Sequence, residues 1–439
     1  MVVAIATTFL GGCLDNGSPA DPPSSITATA GDGRVVVTWT GSPGVDYWLF
    51  SATHPSLTAF NWTNLPNARV YFKVASPYYL CGLLSDTAYY FAMNGRTGGG
   101  PGGPSSPTTP AATTYDAITK GWTLNSASLI QNIYGVGYTS LTTCTNTPLS
   151  ATGSFAAVGA GGAIFTSPDG IDWTAPATPP PGFMSDLNAV TGYTANLNNT
   201  SSPGLRWVAV GAGGASVYST DGSTWSVGTA TSTTQALRSI TQVTGTFFAV
   251  GDAGTIISST NGDIWTSHTT TSGTTNNLNG VTHGNKFIAV GDNGTIVVSS
   301  DGNTWVTPAS WAPVLPYPAL KKVIYFGNII VAVGDSGTVV TSKDNGATWT
   351  EQILAGSPNL VDVTAKFHLD AIPVVDPELN YISTALFAAV DSAGNTYASP
   401  NGITWTNPSS TGISPTNALV SSGFGYVAAG NAGATAYAF

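Results

Sequence analysis

The stretch that decides the fold begins at Ala209-Val210-Gly211 and continues to Ser219-Thr220-Asp221-Gly222-Ser223-Thr224-Trp225. Related stretches, in which a small apolar run is followed by Ser-x-Asp/Asn-Gly-x-x-Trp, recur along the chain at spacings of roughly 40 to 57 residues. The tryptophans that end the complete copies are Trp173, Trp225, Trp265, Trp305, Trp349 and Trp405. Self-similarity at this period predicts a supersecondary unit that buries its apolar surface against neighbouring copies.

Each copy predicts four strands: an innermost Leu-x-x-Val strand, the Ala-Val-Gly strand, a strand ending in Ser, and an outermost strand beginning at Trp. Glycine between the second and third strands supplies positive φ, and Asp-Gly or Asn-Gly is a hairpin signal. Ser and Asp oxygens cap turn amides, and the Trp side chain closes the gap between units. This pattern predicts an all-β fold, a seven-bladed β-propeller over residues 115–439.

The first and last copies are incomplete in complementary ways. Val427-Ala428-Ala429-Gly430 starts a seventh copy, but the sequence reaches Phe439 without a further Asp-Gly-x-x-Trp. Near residue 120, Gly121-Trp122-Thr123 has the character of an outermost strand with no preceding copy. We therefore predict that the Trp122 strand joins the C-terminal strands in one blade, an arrangement that removes open sheet edges.

Composition narrows the functional classes. Only 8% of the 439 residues are charged, and 12 Lys and Arg against 22 Asp and Glu give a formal net charge of −10. Nucleic-acid binding depends on cations that neutralise phosphates, so nucleic acid is not an expected partner. The length predicts two domains.

The N-terminal residues 1–13 end in Leu10-Gly11-Gly12-Cys13 after a short apolar run, and resemble a bacterial lipoprotein signal. The resemblance implies acylation of Cys13, a membrane anchor through lipid alone, and a tether over residues 14–22. The expected location is the bacterial cell envelope, at the outer membrane surface or outside the cell. A plain secretory signal or a chance apolar start is the alternative reading.

Residues 23–112 have a pattern of their own. Val35-Val36-Val37-Thr38-Trp39 alternates as a strand, and Thr87-Ala88-Tyr89 precedes a Gly-rich turn. The segment resembles a fibronectin type III domain, with Trp39 in the core and Tyr89 in the tyrosine-corner region. Such modules act mostly as spacers or adhesion units.

Two further cysteines form an even pair if Cys13 is lipidated. We expect Cys81 and Cys144, in an exported chain, to form a disulfide that joins the two domains, with free buried thiols as the alternative.

The repeat resembles the Asp-box, or BNR-type repeat, of sialidases and of photosystem II assembly-factor propellers. Asp-boxes lie away from catalytic centres in those proteins, so the resemblance implies architecture only. Sialidases clamp a carboxylate with three arginines, whereas the repeat region contains only Arg206 and Arg238. We therefore expect no enzymatic activity, no catalytic residues and no cofactor.

Two groups of charged residues are the candidate binding positions. Arg238 and the pair Lys321-Lys322 lie near the start of inner strands and are expected at the mouth of the central channel. The second group lies in turns after the second strand: Asp252, Asp292, Asp335 and Asp391. Carboxylates on a rim could hold a cation or a basic partner, but Gly-Asp-x-Gly is also ordinary hairpin chemistry, so no metal is predicted.

These features predict a binding, adhesion or structural protein that presents its propeller at the cell surface, with a protein or surface glycan as ligand. Self-association into a larger surface structure is a further expectation. A periplasmic assembly or scaffold factor, which the assembly-factor resemblance implies, is the first alternative. A glycan-binding protein is the second, for which Trp311 and Tyr317 are the candidate aromatic platforms.

Overall fold

The computed structural model describes residues 17–31, 34–81, 83, 87–113, 121–125, 129–140, 153–194, 205–229, 231–271, 273–313, 317–371, 381–406, 408–422 and 425–438. Within these ranges the chain is all-β, with strands joined by turns and short 3₁₀ segments. None of its helices there is long and apolar enough to cross a membrane. The described residues form two compact units, the first of residues 17–113 with 369–371 and 381–382, and the second of the others.

The first unit contains two sheets that share one core. Val37 and Trp39 of one sheet and Leu49 and Phe91 of the other lie in the same buried cluster. One sheet has the order β2-β3-β6, the other β1-β7-β4-β5 with β8 beside β7. A 3₁₀ turn spans Trp62–Asn64. The strands are β1 (Pro19–Ala20), β2 (Ser24–Gly31), β3 (Arg34–Thr40), β4 (Asp46–Ala52), β5 (Arg69–Val74), β6 (Tyr78–Cys81), β7 (Ala88–Arg96) and β8 (Thr109–Thr113).

The second unit is a series of small antiparallel sheets. Its strands are β9 (Thr123–Leu124), β10 (Ile133–Ser140), β11 (Gly153–Gly159), β12 (Ile164–Ser167), β13 (Leu187–Thr194), β14 (Leu205–Gly211), β15 (Ser216–Ser219), β16 (Trp225–Val227), β17 (Leu237–Val243), β18 (Thr246–Gly251), β19 (Ile256–Ser259), β20 (Thr266–Ser267), β21 (Leu278–His283), β22 (Phe287–Gly291), β23 (Ile296–Ser299), β24 (Leu320–Phe326), β25 (Ile329–Gly334), β26 (Thr338–Ser342), β27 (Thr350–Ile353), β28 (Leu360–Ala371), β29 (Tyr381–Asp391), β30 (Asn395–Ser399), β31 (Ser409–Ser410), β32 (Thr416–Ser422), β33 (Gly425–Gly430) and β34 (Thr435–Ala438).

We number the sheets along the chain: sheet 1 (β10–β12), sheet 2 (β13–β16), sheet 3 (β17–β20), sheet 4 (β21–β23), sheet 5 (β24–β27), sheet 6 (β28–β31) and sheet 7 (β32–β34 with β9). The first strand of each sheet is called its inner strand. Between second and third strands lie the 3₁₀ turns Ala160–Gly162, Ala212–Gly214, Asp252–Gly254, Asp292–Gly294, Asp335–Gly337 and Asn431–Gly433. A further 3₁₀ turn spans Thr269–Thr271.

Neighbouring sheets pack face to face through apolar side chains. Val158 of sheet 1 shares a buried cluster with Trp207 of sheet 2, as Ile133 of sheet 1 does with Ala429 of sheet 7. The last sheet therefore packs against the first. The N-terminal strand β9 pairs with β34, so sheet 7 is built from both ends of this unit.

Each repeat turn is held by the residues that define the repeat. Ser219 accepts hydrogen bonds from turn amides, Asp221 Oδ1 accepts from the backbone N–H of Thr224 at 2.7 Å, and Trp225 donates to Gly222 O at 3.1 Å. The equivalent indole-to-carbonyl bond, at 3.1–3.2 Å, is made by Trp173, Trp265, Trp305, Trp349 and Trp405. Trp122 instead donates to Thr396 Oγ1 of sheet 6 at 3.3 Å. These side chains build the fold.

The glycine of the Ala-Val-Gly strand has a different role from the turn glycine. Gly251 has an extended backbone, and a Cβ there would lie 2.0 Å from Ala236 O, so only glycine allows this approach of two backbones. The positive φ of the turn falls on Ala253 and Gly254. Sequence reasoning identified the second requirement but not the first.

Candidate functional site

A β-bulge at the start of the inner strand directs one side chain per sheet towards a shared cavity. In sheets 1–5 and 7 the pairing register skips the second residue of the inner strand, as it skips Arg238 between Leu237 and Ser239. Bulges commonly re-aim a side chain in this way. The cavity, of about 490 Å³, is lined by Ala236 and by one residue from each inner strand: Tyr134, Asn188, Arg238, Asn279, Lys321, Val361 and Asn417. We call these seven residues the mouth ring.

The three asparagines of the mouth ring connect neighbouring sheets. Asn188 Nδ2 donates to Leu237 O at 2.8 Å, and Asn279 Nδ2 donates to Leu320 O at 2.9 Å. Asn417 Nδ2 donates in the same way to Ile133 O at 2.8 Å. These amides satisfy carbonyl groups at the start of the next inner strand, so their first role is structural.

The two cations of the mouth ring are held by aspartates of the adjacent turns. Arg238 Nε donates to Asp252 Oδ1, and Arg238 Nη1 donates to Asn279 Oδ1 at 3.4 Å. Lys321 Nζ lies 2.9 Å from Asp335 Oδ2. The structure thus brings Arg238 and Lys321 to one cavity.

The predicted rim of carboxylates is not assembled around a common point. Asp252 and Asp335 pair with cations, while Asp292 accepts hydrogen bonds from Asn277 at 2.9 Å and from Asn279 at 2.8 Å. None of these three aspartates lines the mouth cavity. The described residues contain no cluster of three or more His, Cys, Asp or Glu that could hold a metal ion.

Asp391 departs from its predicted position. It occupies the place of the close-approach glycine, and Ser392 takes the position of Asp252, because Ser392 N donates to Asn359 O as Asp252 N donates to Ala236 O. A side chain at the glycine position changes the turn, so Asp391 is 3% exposed and folds inwards. Its carboxylate accepts from the N–H groups of Ala393 and Asn395 and from the hydroxyl of Tyr397. The prediction that Asp391 belongs to an accessible rim is therefore wrong.

Lys322 meets Arg238 and Lys321 in a second, smaller cavity. This cavity, of about 110 Å³, is lined by these three cations and by Asp362, whereas the lining of the mouth cavity does not include Lys322. The Nζ of Lys322 lies 3.9 Å from Asp362 Oδ1. The carboxylate of Asp362 also accepts from Val363 N at 2.8 Å and Leu419 N at 2.9 Å. Burial raises the pKa of Asp362, and Lys322 and the two amides act in the opposite direction.

Comparisons with known proteins address the fold of this unit. Residues 204–318 match the family described as "DUF6242 beta propeller domain". Two solved structures with TM-scores of 0.51 each cover 72% of this chain and 96% of their own: "YCF48 bound to D1 peptide" at 14% identity, and the WD40 beta propeller domain of Doa1 at 9%. YCF48 from Cyanidioschyzon merolae, at 16% identity, covers 72% of this chain and 98% of its own, with a TM-score of 0.49. No curated protein sequence matched the chain.

The second unit is a β-propeller. The similarity to YCF48 and Doa1 concerns the fold alone, because identities of 14% and 9% carry no activity across. Any binding role of the mouth ring therefore depends on the chemistry of its own residues. Its cavity is lined by amides, two cations, a tyrosine and small apolar residues.

The propeller also contains a serine–histidine contact that sequence spacing did not reveal. Ser258 Oγ and His268 Nε2 are 2.8 Å apart across adjacent strands of sheet 3. Burial lowers the pKa of His268, and Asp301 acts in the opposite direction. Asp301 Oδ1 accepts from the turn N–H groups of Asn303 and Thr304. The Oδ1 atom of this carboxylate therefore serves its own turn.

Cys13 and Cys144 lie outside the described residues, and Cys81 ends strand β6. The Cys81–Cys144 disulfide and the lipidation of Cys13 stay predictions.

Proposed function

We propose that this chain is a non-catalytic binding protein whose seven-bladed propeller is a platform for another polypeptide. The observation that supports this most directly is the convergence of one side chain from each of seven inner strands on a single cavity of about 490 Å³. Amides and cations line that cavity, rather than a nucleophile with an adjacent base. A propeller of similar fold, YCF48, has been solved with a bound peptide.

Photo-crosslinking in the native host tests this function. A benzoylphenylalanine at the position of Tyr134, in the mouth ring, is expected to form an adduct with a discrete polypeptide. The matched control carries the same residue at the position of Lys343, which is exposed in a repeat turn away from the cavity. Identical adducts at both positions, or no adduct at Tyr134, would contradict a binding role of the mouth.

The first unit fits a spacer of the fibronectin type III class. Two sheets of three and five strands share a core that contains Trp39 and Tyr89, the two positions that carry the resemblance. We propose that a lipid on Cys13 tethers this unit to the bacterial envelope. A Cys13→Ala variant is then expected to lose incorporated palmitate and to leave the membrane fraction, and retention of the label would contradict the anchor.

The proposed binding function has two alternatives that differ in location: display at the cell surface, and an assembly role inside the envelope. Added protease is expected to digest a surface-displayed chain in intact cells, but to digest a periplasmic chain only after the outer membrane is opened. Glycan binding has less support, because Trp311 and Tyr317 pack edge to face at 5.6 Å and Trp311 donates to Gly294 O at 2.7 Å. The two rings are occupied by each other and by the adjacent turn.

A further inference from the structure

Arg238 and Lys321 at the mouth cavity have more hydrogen-bond donors than their contacts within the protein occupy. A guanidinium has five N–H donors and an ammonium has three. Among the described residues, Arg238 bonds Asp252 and Asn279, and Lys321 bonds Asp335. Their side chains are 42% and 35% exposed, so the remaining donors are accessible to a ligand.

The carboxylates that pair with these two cations are not among the residues that line the mouth cavity. Asp252 and Asp335 hold Arg238 and Lys321 from the adjacent turns and do not line its wall. In the smaller cavity, which Arg238 and Lys321 also line, Asp362 accepts from two backbone N–H groups, and its Oδ1 lies 3.9 Å from Lys322 Nζ. The charged groups in the wall of the mouth cavity are therefore both cationic, although the whole chain is acidic.

The two cations lie on one side of the mouth ring. Arg238, Asn279 and Lys321 come from the consecutive sheets 3, 4 and 5, whereas Tyr134 and Val361 come from sheets 1 and 6. The hydrogen bond between Arg238 and Asn279 also restrains the guanidinium over this part of the ring. A ligand that presents an anionic group beside an apolar group matches this division of the wall.

We propose that the mouth ring binds a carboxylate of the partner polypeptide between Arg238 and Lys321, with Tyr134 and Val361 against the neighbouring side chain. This proposal rests on the proposed binding function and specifies the chemistry of its ligand. Guanidinium groups match carboxylates in a two-bond geometry, and charge-assisted hydrogen bonds of this kind are among the strong ones in proteins. The carboxylate can come from an acidic side chain or from the end of a chain.

Three short peptides test the ligand chemistry on the full-length chain by saturation-transfer NMR. Acetyl-Ala-Tyr-Glu-Ala-amide carries a side-chain carboxylate, acetyl-Ala-Tyr-Gln-Ala carries only a terminal carboxylate, and acetyl-Ala-Tyr-Gln-Ala-amide carries none. At least one carboxylate peptide is expected to bind about tenfold more tightly than the uncharged peptide, equivalent to about 1.4 kcal/mol. The stronger of the two identifies the source of the carboxylate.

The second test removes the two positive charges of the mouth ring. The double variant Arg238→Gln/Lys321→Gln is expected to abolish the preference for carboxylate, whereas Lys343→Gln is expected to keep it. Equal binding of all three peptides, or an unchanged preference in the double variant, would overturn the proposal. If crosslinking at Tyr134 persists in such a case, the binding function stands and only its carboxylate chemistry fails.

Discussion

Single carboxylates stabilise the turns that define the repeat. Hydrogen bonds from the backbone N–H of Thr224 hold the pKa of Asp221 below its usual value, and those from Thr304 do the same for Asp301. The side chain of Thr348 is the first cause that lowers the pKa of Asp344, to about 2. These aspartates act as turn caps, which explains why the repeat is visible in the sequence while its ligand chemistry is not.

Replacing an aspartate that caps a turn should cost more stability than replacing an ordinary surface aspartate. Asp169 Oδ1 accepts from the N–H groups of Ile171 and Asp172 and from the hydroxyl of Ser167. By analogy with helix caps, Asp169→Ala is expected to lower the free energy of unfolding by about 1 kcal/mol. The matched change Asp172→Ala, in the same turn, should have little effect in urea denaturation, and equal losses would contradict the capping role.

Two half-buried histidines predict a loss of stability in mild acid. Burial lowers the pKa of His268 and of His283 in the folded chain, so the unfolded chain binds protons more readily. Stability should therefore fall as the pH decreases from about 7 to about 5, around the ordinary histidine pKa of about 6.5. Asp362, whose folded pKa is raised, has the opposite sign, since it loses stability as the pH rises.

The change His268→Asn/His283→Asn isolates the histidine contribution. Urea denaturation at the two pH values is expected to show a smaller difference for this variant than for the parent chain. His54, which lies in the first unit, provides the control substitution His54→Asn. An unchanged pH dependence in the double variant would show that other groups are responsible.

At the scale of elements, one wide side chain sets the packing between sheets 1 and 2. The second strands present Phe155, Phe247 and Phe287 to their neighbours, but sheet 2 presents Trp207, which is fully buried. A Cβ at Gly192 would lie 2.8 Å from both Trp207 Cζ3 and Thr139 Cβ. The glycine in strand β13 is therefore required by the tryptophan beside it.

The pair Gly192 and Trp207 allows a compensation test. Gly192→Ala is expected to cost about 1–3 kcal/mol of unfolding free energy through overpacking. Trp207→Phe should restore much of this loss, because it withdraws the ring atoms and removes an indole N–H that is buried without a partner among the described residues. Thermal unfolding of both single variants and the double variant measures the coupling, and strictly additive losses would contradict this packing.

At the scale of the whole molecule, the contacts between sheets 7 and 1 join distant parts of the chain. Asn417 donates to Ile133 O and to Asn431 Oδ1, both at 2.8 Å. Asn132 Oδ1 accepts from Ala432 N, also at 2.8 Å. Together with the pairing of β9 and β34, these bonds hold the two ends of the propeller together.

Asn417 and Asn188 make equivalent bonds at different places, which permits a test of closure. Each change to alanine should lower stability by about 1 kcal/mol through a lost hydrogen bond. Hydrogen exchange of Thr123–Leu124 and Thr435–Ala438 should accelerate only in Asn417→Ala. Equal acceleration in Asn188→Ala would show that the joint between sheets 7 and 1 is no different from the joint between sheets 2 and 3.

The all-β character and the repeated turn follow from the sequence, because turn-capping oxygens, glycine and hairpin signals act over a few residues. That Arg238 and Lys321 belong to one group could also be predicted, since the repeat places both near the start of an inner strand. The error at Asp391 had another cause. The close approach of two backbones is set by contacts between strands, and a sequence pattern does not show it.

The sequence by itself determined the unit that is repeated and the order of its strands. Only the tertiary structure decided which side chains share a cavity and which charges are already paired there. The reason is physical: Arg238 and Lys321 are 83 residues apart, and their common cavity exists because successive sheets pack around it. The same packing pairs Asp252 and Asp335 with those cations, so that these aspartates do not form a rim of free carboxylates.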